Sequence, residues 1–347
     1  MKDSFGREID YLRISVTDRC NLRCMYCMPR DCKSGSGAAE DLLSFDEIVL
    51  IAGAAARTGI RHIKLTGGEP LLRDDICRLV RSIRETDGIE TVSLTTNGIL
   101  LGKYSAELAA AGLDSINVSL DTLDEERFAV ISGISSLFTV KDILAGIDKA
   151  LADGLKVRIN SVLTDINRDE WADLSLLARD RRLDVRFIEL MPMGNGRKLK
   201  TASGATGAGE VSEATGVTGV TGVSNRELAS AIAERFGELE PVHEKRGNGP
   251  AVYYRVPGFR GCIGFISAIC DKFCNRCNRI RLTAAGILKP CLCYASTTDL
   301  KQMIRNGAGY GMIENTIREA IRNKPAAHCF ENPDMISETG SMSQIGG

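Results

Sequence analysis

The sequence lacks any run of 18 or more apolar residues, which excludes a conventional membrane-spanning helix. It also lacks charge of one sign: 44 Lys+Arg stand against 45 Asp+Glu, a formal net charge of -1. No global field therefore draws this chain to nucleic acid or to an anionic membrane, and any basic site must be local. The opening residues, Met1-Lys-Asp-Ser-Phe-Gly-Arg-Glu, contain no apolar segment of the secretory kind. The expectation is a cytoplasmic protein without nucleic-acid or membrane partners. Histidine is scarce, at three residues: His62, His243 and His328. Apolar residues are not scarce; they make up 44% of 347 positions, enough to fill a sizeable core. Cysteine is the surplus, at twelve. In a reducing compartment such thiols read as metal ligands or reduced core residues rather than as a disulfide framework.

Three of them form Cys20-Asn-Leu-Arg-Cys24-Met-Tyr-Cys27, a C-x3-C-x2-C spacing that follows the strand-like run Leu12 to Val16. Three closely spaced thiols can hold three irons of a cubic four-iron cluster and leave the fourth iron open. A fully ligated cluster only passes electrons, whereas one with a vacant site can also bind and reduce a ligand. The rival readings are structural zinc and disulfides. Zinc would want a fourth Cys or His nearby, and no histidine lies near this loop.

From residue 11 to about residue 190, β-rich runs alternate with helical patterns: Leu12 to Val16, His62 to Thr66, Thr91 to Thr95, Ser115 to Leu120, Val157 to Leu163 and Val185 to Leu190. Six successive β-α units predict parallel strands with helical crossovers. Ser44-Phe-Asp-Glu47 predicts a capping box opening a helix to about Arg57. Ile143, Ile147 and Leu151 recur as a buried stripe, and Gly59, Gly88, Gly112 and Gly154 end successive helices. The strands alternate an apolar set with a polar one: Arg13 and Ser15; Lys64 and Thr66; Ser93 and Thr95; Asn117, Ser119 and Asp121; Arg158 and Asn160. A strand packed on both faces should be apolar on both, so one face here is wet or ligand-filled. The fold class predicted is α/β, a partial (β/α)6 TIM-like barrel with a C-terminal extension; a doubly wound open sheet is the competing topology. The expected boundaries are a barrel over 1–195, a Gly/Thr-rich linker or insertion over 196–224, a C-terminal region over 225–330 and a tail over 331–347. Within the third, Ser224-Asn-Arg-Glu227 opens a helix to about Phe236, β-like runs follow at Val252 to Val256 and Cys262 to Ser267, and helices are expected over about Thr298 to Asn306 and Met312 to Asn323.

A second thiol group, Cys274-x2-Cys277 with Cys291, leaves its ligand set open. Cys270 repeats the first spacing with Cys274 and Cys277, and Cys293 completes a possible four-cysteine zinc ribbon. Cys32, Cys77, Cys262 and Cys329 read as buried small hydrophobes. Arg279 and Arg281 alternate along the strand-like run that follows Cys277. With Arg13, Lys64 and Arg158 they make a local cationic set suited to a triphosphate or another polyanion.

Taken together, Ser15-Val-Thr-Asp-Arg-Cys20-Asn-Leu-Arg-Cys24-Met-Tyr-Cys27, Thr66-Gly-Gly-Glu-Pro-Leu-Leu-Arg73, Thr95-Thr-Asn-Gly98, Asn117-Val-Ser-Leu-Asp121, Cys274-x2-Cys277-Asn-Arg-Ile-Arg281 with Cys291, and the ending Ser343-Gln-Ile-Gly-Gly347 resemble the GTP 3′,8-cyclase family of the radical S-adenosylmethionine (SAM) superfamily. The resemblance implies two [4Fe-4S] clusters, on Cys20, Cys24 and Cys27 and on Cys274, Cys277 and Cys291. It implies SAM held by Tyr26, Gly68, Ser119 and Met191, and GTP met by Arg13, Lys64, Thr95, Arg158, Arg279, Ile280 and Arg281, with Arg158 standing where the family commonly has lysine. Gly67 and Gly68 would let the backbone approach the methionyl group. Gly346 and Gly347 would support catalysis from a tail reaching into the site. The chemistry implied is reductive cleavage of SAM to methionine and a 5′-deoxyadenosyl radical, hydrogen abstraction from C3′ of GTP, and closure of the sugar onto C8. A homodimer, an external electron donor and a downstream cyclic pyranopterin monophosphate synthase come with the resemblance. The rivals are a radical SAM enzyme with an auxiliary cluster acting on a peptide or protein, and a non-catalytic metal-binding scaffold.

Overall fold

The structure is a computed structural model that describes residues 1–27, 41–134, 138–199 and 221–346. Cys32, most of the Thr-Gly-rich stretch and Gly347 lie outside the described residues. The six expected strands are β1 (Tyr11–Ser15), β2 (His62–Thr66), β3 (Thr91–Thr96), β4 (Ser115–Ser119), β5 (Lys156–Val162) and β6 (Asp184–Ile188). Helices α1 (Phe45–Arg57), α2 (Ile76–Arg84), α3 (Leu101–Ala110), α4 (Glu125–Ser132), α5 (Val140–Ala152) and α6 (Trp171–Asp180) lie between them. The strands pair in chain order, each parallel to the last. A doubly wound sheet would reverse its order part-way, so the half-barrel prevails.

The local signals behind these elements are the expected ones. Ser44 Oγ accepts from the Glu47 amide at 3.1 Å while Glu47 Oε2 accepts from the Ser44 amide at 2.7 Å, closing the capping box that starts α1. Gly59, Gly112 and Gly154 have φ between +86 and +102° and follow the C-caps of α1, α3 and α5, the left-handed turn that stops a helix, whereas α2 already ends at Arg84 and Gly88, with φ +87°, turns the chain beyond it. Ile143 and Ile147 are fully buried on α5, and Leu151 packs half-buried at the end of the same stripe.

The remaining strands extend the barrel at both sides. After α7 (Asn225–Phe236) come β7 (Glu240–Pro241), β8 (Val252–Arg255), β9 (Ile263–Ile266), β10 (Arg279–Leu282) and β11 (Leu288–Lys289), then α8 (Leu300–Arg305) and α9 (Tyr310–Arg322). β9 pairs parallel with β6, and β10 pairs parallel with β1. Antiparallel β11 and the β8–β7 pair finish the two edges of an 11-stranded sheet. Eight parallel strands thus line a curled but open wall, two more than the six read from the sequence. The apolar positions (Leu12, Ile63, Val92, Ile116, Val157) are buried against the helices, in one continuous core. The polar positions face the concave side, where Arg281, Arg13 and Lys64 stand side by side in register on β10, β1 and β2.

Candidate active site

The loop after β1 carries the first thiol set. Its backbone is tied to the end of α4, with the Arg23 amide on the Ser132 carbonyl at 2.7 Å and the Met25 amide on the Ile131 carbonyl at 2.9 Å. Behind it lies Gly67-Gly68-Glu69, whose fit explains the glycines. A Cβ on Gly68 would fall 2.2 Å from the Arg19 carbonyl oxygen, and one on Gly67 2.5 Å from that of Thr17. The close approach seen here is to the chain's own residues just before and within the cysteine loop. Glu69 is fully buried and accepts from the amides of Leu71 and Asn97 and the hydroxyl of Thr96. Burial still pushes its pKa up to about 7. Tyr26 turns its hydroxyl onto Asp121, whose other oxygen accepts from the Val162 amide at 2.7 Å. The cysteine loop is thereby fixed to the ends of β4 and β5.

One cavity, of about 270 Å³, occupies the concave side of the sheet. Of the residues expected to hold ligands, Tyr26, Ser119 and Met191 line it, as do Thr95, Arg13, Lys64, Arg279 and Arg281, and the thiol-bearing Cys274, Cys277 and Cys291. Gly68 stands behind the cysteine loop, and Ile280 turns its side chain into the core on the opposite face of β10. Arg158 does not line this cavity. It sits one step away, with Nε 3.7 Å from Asp184 and its guanidinium covered by Gly247.

The cations are the cavity's electrostatic signature. Lys64 is 8% exposed, and burial, then Arg186, Arg13 and Arg158, hold its pKa well below the usual lysine value. Burial and the neighbouring Arg281 bring Arg13 down to about 9, and burial and Arg279 bring Arg281 down to about 10. Nε of Arg13 and of Arg279, and Nε and Nη2 of Arg186, are buried with no hydrogen-bond partner. Cations crowded together in this way repel one another, and an anion with several charges would relieve that repulsion. Arg186 is the member that sequence reasoning missed. Its strand was read, and its place between Val185 and Phe187 was the available signal.

The second thiol set closes the far wall, and its candidate thiols differ in placement. Cys274, Cys277 and Cys291 line the cavity. Cys293 is fully buried behind it, with its sulfur 3.8 Å from that of Cys291 and 3.6 Å from that of Cys329. Cys270 rests against Ser224 at 3.9 Å. Cys77, Cys262 and Cys329 are buried, as small apolar residues would be.

The chain's tail enters the same cavity. The Met342 amide donates to the Cys27 carbonyl at 3.3 Å, Ile345 is buried, and Arg281 Nη1 donates to the Gly346 carbonyl at 2.9 Å. Gly346 has φ +73°, and a Cβ there would lie 3.2 Å from Cβ of Ser15 on β1.

Residues 14–178 match the Radical SAM superfamily and residues 183–330 match Molybdenum Cofactor Synthesis C. A GTP 3′,8-cyclase of Clostridium perfringens (strain 13 / Type A) is 42% identical over 348 residues, and one of Moorella thermoacetica (strain ATCC 39073 / JCM 9320) is 43% identical over 349; each covers 100% of both chains. The chain belongs to the GTP 3′,8-cyclase family. Among solved structures, Streptococcus suis SuiB bound to S-adenosylmethionine superposes with a TM-score of 0.58 at 16% identity, covering 88% of this chain and 68% of that one, a likeness of fold alone.

Cyclases of this family use a four-iron cluster with SAM, and a second cluster is typical of them. The thiols here fit such groups. Burial pushes Cys20 up to about 11 and Cys27 up to about 12, and Cys24 well above its ordinary value; Glu69 adds to the effect on Cys20, and neighbouring thiols add to it on Cys24 and Cys27. Thiols held up in this way would ionise when a cationic body such as an iron cluster binds them. In the second set burial raises Cys277, but Arg279 and Lys324 outweigh it and draw its pKa down. Cys291 is also lowered, by the Cys293 thiol first and by Lys324 beyond it.

Proposed function

We infer that this chain is a radical SAM lyase converting GTP to (8S)-3′,8-cyclo-7,8-dihydro-GTP, the first step of molybdenum cofactor biosynthesis. The observation that carries the reading is the set of cations, several with buried nitrogens that lack a hydrogen-bond partner, lining a cavity that also holds Tyr26 of the first cysteine loop and the thiols of the second set. When bound, the first cluster and SAM supply the hydrogen-abstracting radical.

The chain's own residues supply position. Arg13, Lys64, Arg279 and Arg281, with Arg186 beside them, would take the triphosphate, and Thr95 the sugar side of the nucleotide. Ile280 would contribute only backbone, because its side chain is committed to the core. Arg158 would reach a phosphate after exchanging Asp184 for it. SAM would lie against Tyr26, Gly68, Ser119 and Met191, at the mouth defined by the cysteine loop. Gly346 and Gly347 would complete the wall around the sugar and keep water from the radical. An external one-electron donor feeds the first cluster, and cyclic pyranopterin monophosphate synthase takes the product. The reading also places the enzyme in the cytoplasm as a homodimer; no helix among the described residues is long and apolar enough to cross a membrane.

The test is anaerobic incubation of reconstituted protein with dithionite, SAM and each nucleoside triphosphate in turn, followed by separation of the nucleotides. GTP alone should yield a cyclised product together with 5′-deoxyadenosine. Equal consumption of all four nucleotides, or 5′-deoxyadenosine without any new nucleotide, would end the proposal.

A further inference from the structure

Lys289, on β11 two residues before Cys291, is only 1% exposed. A buried ammonium needs a partner, and Glu338 provides it, with the Tyr294 carbonyl accepting a second hydrogen bond at 2.6 Å. Glu338 belongs to the tail, and it is held from every side. Its other carboxylate oxygen accepts from the Gly340 amide at 2.6 Å. Its own amide donates to the Cys293 carbonyl at 3.2 Å. Its carbonyl accepts from Arg197 Nη2 at 2.6 Å, and the same nitrogen donates to the Ile336 carbonyl at 2.9 Å. Arg197 comes from the segment that packs on the first cysteine loop, where Asn195 donates to the Met25 carbonyl at 2.5 Å. At this one residue, therefore, the strand leading to the second thiol set, the segment beside the first, and the tail are joined.

We propose that Glu338 is a positioning residue that latches the tail, fixing the point from which its last residues run past Cys27 to Arg281 and the nucleotide cavity. Seven residues separate Glu338 from Gly346. Beyond the latch, the holds on the tail are the Met342 amide on the Cys27 carbonyl, the Ser343 amide on the Cys27 thiol, the buried side chain of Ile345 and the Arg281 contact to Gly346. A terminal segment pays a large ordering cost unless its root is fixed. Unpairing Lys289 would release that root, because the buried cation would then seek water or another acceptor.

For its product readout the inference rests on the cyclase reading; its other readout does not. In iron-loaded protein, Glu338→Gln should speed amide hydrogen exchange over Met342 to Ile345 about tenfold or more. Iron content and SAM cleavage should stay at the wild-type level. The cyclised nucleotide formed per 5′-deoxyadenosine should fall about tenfold, since a small displacement of a positioning group is enough to spoil the reacting geometry. A merely structural role would lower iron, SAM cleavage and product together. Arg197→Gln removes the second hold while keeping the Lys289–Glu338 pair, and it should give the same pattern even if the first variant folds poorly. Wild-type exchange rates in both variants would overturn the latch whatever the reaction proves to be. Faster exchange with an unchanged product ratio would overturn its part in positioning. Absence of cyclised nucleotide from the wild-type enzyme would count against the functional reading instead, with exchange still deciding the latch.

Discussion

Lys64 brings a positive charge to a place that already holds Arg13, Arg186 and Arg279, and the charges that weigh most on it are all of its own sign. Such a residue weakens the empty protein and strengthens the loaded one. Lys64→Met should therefore leave GTP-free protein as stable as wild type or more so, by about 1 kcal/mol, because an apolar side chain replaces a buried cation set among like charges. The same change should weaken GTP about tenfold or more, the worth of a charge-assisted phosphate contact. Denaturant unfolding without nucleotide and calorimetric titration with GTP measure the two effects, and a variant that loses stability while keeping its affinity would remove Lys64 from the anion site. Most of this site was legible because strand alternation puts Arg13, Lys64, Arg279 and Arg281 opposite residues such as Leu12 and Ile63 that belong in a core. Alternation fixes the face and not the depth. Arg158 shares the face but lies next to Asp184, whereas Arg186, on the same face of the next strand, lines the cavity.

At the scale of elements, the cysteine loop has its shape because Gly67-Gly68-Glu69 lies directly beneath it. The 2.2 Å gap between a Gly68 Cβ and the Arg19 carbonyl leaves a methyl group nowhere to go, since its neighbour is backbone. Gly68→Ala should push the loop outward and scatter the thiols of Cys20, Cys24 and Cys27, while Cys274, Cys277 and Cys291 stay as they are. Anaerobic reconstitution should then load about four irons per chain in place of about eight. Iron analysis beside the electron paramagnetic resonance spectrum of the reduced protein checks this, and full loading would show that the loop adapts. The motif itself was plain in the sequence, but the fit of its glycines against the chain's own backbone was not, because close approach is a property of three dimensions. The sheet's edges were hidden for the same cause. Ile263–Ile266 and Arg279–Leu282 could be read as strands from local composition, yet their parallel partners, β6 and β1, are distant in sequence and leave no local mark.

Across the whole molecule, the barrel, the C-terminal strands and the tail meet around one cavity, and the tail is the last piece to be placed. Terminal segments rich in Ser and Gly usually fray. Here Ile345 is buried among Met193, Leu292 and Phe330, and Arg281, one of the cavity cations, donates to the Gly346 carbonyl. A side chain at Gly346 would crowd Ser15 and would demand a left-handed backbone that only glycine adopts at little cost. Deleting Gly346 and Gly347 removes nothing from the hydrophobic core and no thiol, so the fold, the iron content and the cleavage of SAM should survive. What should vanish is the step that needs the sugar held against the radical, so the truncated enzyme should make 5′-deoxyadenosine while forming less than about a hundredth of the cyclised nucleotide. Both products are measured in one reaction mixture. If the truncated enzyme cyclises GTP normally, Arg281 grips the tail only to tidy a frayed end, and the wall around the nucleotide is complete without it.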